Sequence, residues 1–452
     1  MVTLLCRYIY IGGDEDVTNY RLSIVYNENA CNFETFFNNK AQYKHFKDYI
    51  TGLIVEENPN VVNINNRFVN SGDSSCLDKF IPQADWPEDK INDKRIELVK
   101  QKTNLQSFSA VIIDDLLNHK TGKKIYGVYK YWDHANNCYC LAQNIVRTHF
   151  VNSQTDWAID FRLYHRSFEK EEKEYLMQTA KPDYSNSTKE ELVKRLIELL
   201  YFQRNRKSFK SKIELAAELV DDSEQRKIDC DLYLFDNWYL APLLTNRIES
   251  YNKDWISELG SNRILFVNNR WYNILEFVKT IPSSAYREIE IKQRNGEYKK
   301  YWTFTKVVHL KKLGKKRIVI SYNNKELKGE PKLLVANRKD WEAKKIVQAF
   351  SWRWTIEPCH RDAKQHLGLE DCQLRSPKGI KRHWYLVFLA HTLLSQCVKQ
   401  SILVKRAKSQ LNTIGERCRQ ASHELLRSLV YWVQKELTVN SSPEVVFQLL
   451  VA

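Results

Sequence analysis

Three acidic residues stand where a folded chain could gather hard oxygen ligands. The run Ala110-Val111-Ile112-Ile113 is of the fully buried strand type and leads into Asp114-Asp115. A second such run, Leu232-Tyr233-Leu234-Phe235, leads into Asp236, and a long helical pattern carries Glu357. Carboxylates at the ends of buried strands, joined by one from a packed helix, can converge on one edge of a sheet. That arrangement can hold two hard cations about 3.5–4 Å apart, one activating an attacking oxygen and the other stabilising the leaving oxygen of an in-line displacement. With neither Cys nor His in the set, two ions of Mg2+ or Mn2+ suit it better than Zn2+. Val111–Ile113 bring the strand first to Asp114, which is taken as the ligand, with Asp115 as the alternative.

The helical pattern from Asp340 to about Gly368 carries more. Phe350, Arg353, Glu357, Arg361 and Lys364 step by three or four residues, which puts them on one face of a continuous helix. On an ordinary surface helix Arg353, Glu357 and Arg361 would make a plain salt-bridge ladder. Here Trp352 and Trp354 crowd the run, and it ends in Gln365-His366-Leu367-Gly368. The order Phe-x-x-Arg-x-x-x-Glu-x-x-x-x-x-x-Lys resembles the YREK signature of bacterial insertion-sequence transposases of the DDE type. Arg353-Trp354-Thr355-Ile356-Glu357, Arg361-Asp362-Ala363-Lys364-Gln365 and Leu367-Gly368-Leu369-Glu370 resemble the longer block of that group. Ile112-Ile113-Asp114-Asp115 and Leu234-Phe235-Asp236-Asn237-Trp238-Tyr239 resemble its two Asp strands. Leu333 to Arg338 resembles the strand that re-enters its core, and Phe80 to Glu97, with Ala84-Asp85-Trp86, its N-terminal helical region. Coverage is roughly residues 41–440.

The resemblance implies an α/β fold. It consists of an RNase H-like catalytic core with a β-rich insertion, an N-terminal helical DNA-binding region and a C-terminal helical tail. It implies cut-and-paste transposition: binding of terminal inverted repeats, cleavage through a hairpin, and transfer of the 3′-hydroxyl to target DNA by a homodimer in a paired-end complex. Asp114, Asp236 and Glu357 take the metal-binding places. Arg353 and Lys364 take those that contact phosphates, and Arg361 lies on their face. Phe350 stands where the motif has Tyr, keeping the stacking face without the hydroxyl. Trp238 offers a face to a displaced base, against the commoner role of a core tryptophan. Arg375, Lys378, Lys381, Arg382 and His383 read as a dense basic loop in phosphate contact. His360 and His366 read as a DNA-facing donor and a packed ring. Two alternatives stand beside the transposase: a DNA-binding protein derived from one with catalysis lost, and an RNase H-like nuclease without strand transfer.

The supporting elements follow from pattern. The chain of 452 residues exceeds one ordinary core. Boundaries are expected at 1–40, unassigned, either a short strand pair or sequence ahead of the true start; 41–107, helical DNA-binding region; 108–262, first part of the core; 263–332, β-rich insertion; 333–400, core with the Glu helix; and 401–452, C-terminal helices. The helices of 41–80 fit a small DNA-binding head or a plain bundle equally. After Asp115, the runs Ile125 to Trp132 and Tyr139 to Arg147 predict a three-strand meander, with Trp157 to Tyr164 as a further edge strand. Ser187 or Thr188 caps a predicted helix through Leu200, and Ser211 precedes another. The clusters Lys299-Lys300, Lys311-Lys312 and Lys315-Lys316-Arg317 could track a phosphate backbone or guard sheet edges.

Composition agrees with a DNA partner. Lys and Arg number 70 against 55 Asp and Glu, a net charge of +15, which favours a polyanion through counterion release. The 10 cysteines contain no C-x-x-C pair, so a zinc ribbon lacks its ligands and a reducing cytoplasm, near the nucleoid, is expected. Cys138 and Cys140 read as a pair of small buried hydrophobes. No signal peptide is evident, and no apolar run reaches the roughly eighteen residues of a membrane span, so no membrane partner is expected.

Overall fold

The computed structural model describes residues 8–9, 30–69, 73–104, 107–165, 191, 210–294, 296–397, 411–440 and 442–451. The helix expected after Ser187 or Thr188 lies outside the described residues apart from Glu191. The chain forms two compact units, one of residues 1–104, 118–128 and 357–452, the other of 105–117 and 129–356.

The second unit is built on a mixed sheet. In chain order its strands are β1 (Ser109–His119), β2 (Tyr129–Asp133), β3 (Cys138–Asn152), β4 (Asp156–Tyr164), β5 (Leu232–Phe235) and β6 (Asp254–Glu258). There follow β7 (Ile264–Val267), β8 (Arg270–Asn273), β9 (Arg287–Lys292), β10 (Tyr298–Leu310), β11 (Gly314–Tyr322) and β12 (Lys332–Ala336). Among the described residues the order is β8-β7-β10-β11-β12-β6-β5-β1-β3-β2, with β9 on β10 and β4 on β3. The strands expected as an insertion therefore continue the sheet that carries the two Asp runs.

β1, β5 and β6 are parallel neighbours, and their continuous apolar runs are covered on both faces. Ala110, Ile112, Leu232, Leu234 and Ile256 share one cluster with Ile346, Phe350 and Trp352 of the Ala343–Ser351 helix and the turn after it. The alternate residues face other helices. Tyr233 donates to Glu224 on the Lys212–Gln225 helix, and the Trp255 indole donates to Glu249 on the Pro242–Ser250 helix. Ser211 caps the first of these in a full capping box with Glu214.

Four local expectations change. The meander is not sequential: β3 lies between β1 and β2, and its long span pairs with β2 through Cys138–Ala142 and with β4 through Asn144–Val151. β1 does not stop at Asp114-Asp115 but runs to His119. The single long helix is two, Ala343–Ser351 and Ile356–His366, with a 3-10 turn at Trp352–Thr355. Pro358 is the reason: a proline has no N–H and is tolerated in a first helical turn but not in a helix interior. Cys138 is exposed and Cys140 half-buried, because β2 and the start of β3 sit at the end of the sheet order.

The first unit is helical: Lys40–Val55, Val61–Asn66, Ser74–Phe80, Glu88–Lys102, Pro377–Thr392, Ile414–Asn440 and Pro443–Val451, with the body of Ile356–His366. Phe68–Val69, read from sequence as helical, is a two-residue strand parallel to Tyr8–Ile9. Phe33, Phe37, Phe46, Phe80 and Trp86 form an aromatic cluster. Gly368 has φ +65° and ends its helix as expected; a Cβ there would also meet Pro59 Cγ at 2.2 Å, so the position needs glycine twice over. No helix among the described residues is long and apolar enough to cross a membrane.

Candidate active site

Register brings the two aspartates together. β1 and β5 run parallel with Ile113 opposite Phe235, so Asp114 and Asp236 are the next residues on adjacent strands. Side chains alternate along a strand, so Asp114 and Asp115 point to opposite faces. Asp114 is 8% exposed and shares a face with Ile112, toward the layer that holds Arg353. Arg353 Nη1 donates to Asp114 Oδ2 at 2.9 Å, and the Asp115 backbone N–H donates to Oδ1 at 2.9 Å.

Burial pushes the Asp114 carboxyl up to about 7; Arg353 opposes the rise, while Asp236 and Asp115 add to it. Asp236 is also raised, by burial first, with Arg353 opposing and Asp115 adding. Oδ1 of Asp236 accepts the backbone N–H groups of Trp238 and Tyr239 at 3.0 and 3.4 Å, the self-closing turn that Asp favours. Ser257 Oγ donates to the Asp236 carbonyl from β6. Among the described residues no donor reaches Asp236 Oδ2.

Asp115 is engaged on both oxygens. Tyr239 Oη donates to Oδ1 at 2.9 Å, and Lys212 Nζ and Asn144 Nδ2 donate to Oδ2, each at 2.8 Å. The group ties β1, β3, the Asp236 turn and the Lys212 helix to one carboxylate. Burial and the Asp115 charge hold the Tyr239 hydroxyl protonated, well above its usual range. Lys212, Asn144 and Tyr239 were missed from sequence. Two faint signals existed: a lysine just after the Ser211 cap opposes the helix dipole, and Tyr239 stands three residues beyond an Asp that starts a turn.

Beside this group lies a groove of about 480 Å³, lined among others by Tyr164, Lys212, Asn237, Trp238, Asn262 and Arg263. Trp238 is 65% exposed, so it is not the core tryptophan that its type suggests. Lys212 Nζ lies 5.7 Å from its ring centroid.

The remaining sequence candidates divide. Phe350 is 4% exposed and belongs to the apolar cluster, so it offers no stacking face to DNA. Arg353 is buried, with its guanidinium carbon 5.1 Å from the Trp354 ring and 6.0 Å from the Phe350 ring. Its Nε has no acceptor among the described residues.

In the other unit, Glu357, Arg361 and Lys364 share a face of the Ile356–His366 helix, with Glu357 and Arg361 exposed. Lys364 Nζ pairs with Glu370 at 2.9 Å. His360 is buried rather than facing outward, and His366 packs against Gly415 as a ring should. Arg375 and Lys378 are exposed, but the basic stretch that follows is the Pro377–Thr392 helix, not a loop. Lys381 pairs with Asp89. Arg382 is 0% exposed, bonded to Glu88 and to the carbonyls of Ile81, Ala84 and Trp86 over the Trp86 ring. That corrects its assignment to DNA: burial in an aromatic core has consumed its donors. His383 is likewise buried between Tyr49 and the Gly368 carbonyl.

Residues 32–271, more than half the chain, match the family described as DDE superfamily endonuclease. The chain belongs to that family. Residues 209–393 match a second, overlapping description, transposase DDE domain. No curated protein matches. Among solved structures, the chain is similar to the NurA nuclease from Sulfolobus solfataricus at 10% identity, covering 64% of this chain and 86% of that one. The TM-score is 0.25, too slight to bear on the fold. For a DDE-superfamily endonuclease, a pair of buried carboxylates on neighbouring parallel strands is a chemically apt donor set. Its oxygens are hard, and the burial that raises its proton affinity penalises negative charge that a divalent cation would offset.

Proposed function

We propose that this endonuclease is a transposase of the insertion-sequence type. It binds terminal inverted repeats, cleaves the ends and transfers the 3′-hydroxyl to target double-stranded DNA. The observation that carries the reading is the pairing of Asp114 with Asp236 on adjacent parallel strands, both raised by burial. Glu357 is proposed as the third carboxylate on the strength of its motif, four residues after Arg353. An RNase H-like core is inferred for the unit of β1, β3, β4, β5 and β6, supported by its mixed antiparallel and parallel pairing.

Asp114, Asp236 and Glu357 would hold Mg2+ or Mn2+, which when bound would activate the attacking oxygen and stabilise the leaving one. Asp115, fully bonded within the protein, acts as a positioning residue: it fixes the Asp236 turn through Tyr239 and β3 through Asn144. Arg353 holds Asp114 through Nη1, and its contact with a phosphate near the cleaved end is proposed on the strength of its motif. Trp238 and Lys212 offer a displaced base a stacking face and a nearby cation. Arg361, Lys364, Arg375, Lys378 and Lys381 are proposed as backbone contacts, Lys364 and Lys381 after release from Glu370 and Asp89. A homodimer in a paired-end complex completes the proposal.

The test is Mg2+-dependent cutting of DNA that carries the element's own terminal repeats. Alanine at Asp236 or Glu357 is expected to abolish cutting and leave DNA binding intact; normal cutting by either variant defeats the assignment. Joining of a cut end to a second DNA separates a transposase from a nuclease that only hydrolyses.

A further inference from the structure

At the far end of the sheet, four strands bring an exposed aromatic and basic row onto one face. Trp271 on β8 is opposite Phe266 on β7, Phe266 is opposite His309 on β10, and His309 is opposite Lys315 on β11. Directly opposite residues of antiparallel strands project to the same face, so these four side chains lie side by side. Trp271 is 54% exposed, and His309 and Lys315 are exposed as well. The Trp271 ring lies 5.1 Å from Phe266 and 6.1 Å, edge-on, from His309. The β10–β11 turn beside the row holds Lys311 and Lys312, both exposed. Among the described residues none of Lys311, Lys312 and Lys315 is in an ion pair.

The strand segments that form the row carry no acid of their own; Glu249, from the Pro242–Ser250 helix, pairs with Lys316 of β11, which alternates to the face opposite Lys315. From Trp302 to Asn324 the chain has six Lys and Arg and no Asp or Glu, and from Leu259 to Leu275 it has two Arg and no acid. An edge that needed only protection from sheet pairing would be served by lysines alone and would not display a tryptophan and a histidine.

We propose that this face is a binding platform for single-stranded DNA: bases stack on Trp271 and His309 while Lys311, Lys312 and Lys315 follow the phosphates. Aromatic rings beside a cationic track are what binding of unpaired strands requires, and stacking tolerates any base sequence. The choice of DNA rests on the function proposed above; the platform's geometry does not.

The test uses the full chain carrying Asp236→Asn, which keeps the probe from being cut. Fluorescence anisotropy follows a labelled oligo(dT) of about 20 nucleotides and a duplex of equal length at several salt concentrations. Trp271→Ala is expected to weaken oligo(dT) binding about 10-fold, with duplex binding little changed, and Trp271→Phe to restore most of it. Glutamine at Lys311 and Lys312 in the exposed turn and at the exposed Lys315 on β11 lowers the salt slope by about 2, at roughly 0.7 per phosphate contact. Wild-type oligo(dT) affinity in the Ala variant, or equal loss for duplex and single strand, overturns the platform. Absence of Mg2+-dependent cutting by the unmodified chain defeats the catalytic reading and leaves this one standing.

Discussion

One sheet differs in electrostatic character between its interior strands β1 and β5 and the edge that β8 closes. Where β1 and β5 meet, Asp114, Asp115 and Asp236 gather, and Arg353 and Lys212 partly offset them. Where β7, β8, β10 and β11 meet, cations gather around exposed rings, and none of these four strands carries a carboxylate of its own. The first region is buried and raises proton affinity; the second is open to water, where screened charge can steer a polyanion but not perturb a proton. Burial separates a place able to do chemistry from a place able only to hold a strand.

The sharpest way to break that contrast is at the acidic region. Asp236→Asn and Glu357→Gln are each expected to lower the cleavage rate by on the order of 10³-fold or more, with DNA affinity intact, as single-turnover cutting and gel shifts would read. An equal loss of binding would make the acidic region a binding surface after all. Next come the residues that brace it. Asp115→Asn and Tyr239→Phe should cost roughly 10- to 100-fold in kcat or in Mg2+ affinity, the range of second-layer partners of a metal site, with little change in KM for DNA. If Tyr239→Phe is silent, the Asp115 network is merely structural.

At the basic end, Trp271→Ala should leave the rate of cutting a saturating duplex within about 2-fold while it weakens oligo(dT) by about 10-fold. A large rate loss would join the two regions into one site. The smallest effect isolates what burial alone does to a carboxylate. Asp48, in the helical unit, is buried and pushed up to about 7 by desolvation, against the pull of Lys44 and Lys47, and its Oδ1 has no partner. A carboxyl raised in the fold keeps a proton that the unfolded chain has released. Its stabilising contribution is therefore complete near pH 4 and is lost as pH climbs toward 7. Asp48→Asn should flatten that decline by up to about 1.4 kcal/mol per pH unit, seen as a higher Tm at pH 8 than the parent and little difference at pH 4. An unchanged slope would mean that Asp48 is ionised in the fold.

Much of this could be read from residue order. The buried runs ahead of Asp114 and Asp236 became strands, the Ser211 capping box opened its helix, and Gly368 closed another in the left-handed region, because each depends on local backbone physics. The Pro358 break is equally local, but the 3.6-residue apolar pattern runs straight through it and masks it.

What order could not convey was which polar atoms end up facing one another across the fold. Arg382 and Lys381 look alike in sequence, yet one is sealed under Trp86 and the other pairs at the surface with Asp89. Asp114 and Asp115 are adjacent, yet alternation along a strand sends one toward Arg353 and the other toward Lys212, Asn144 and Tyr239, up to 124 positions away. Trp271, Phe266, His309 and Lys315 meet only because strand register aligns them. Residue types and short spacings determined the carboxylate chemistry and the cationic charge. Burial and register, which arise only when distant segments pack, decided which of those groups could act and which were spent on holding the fold.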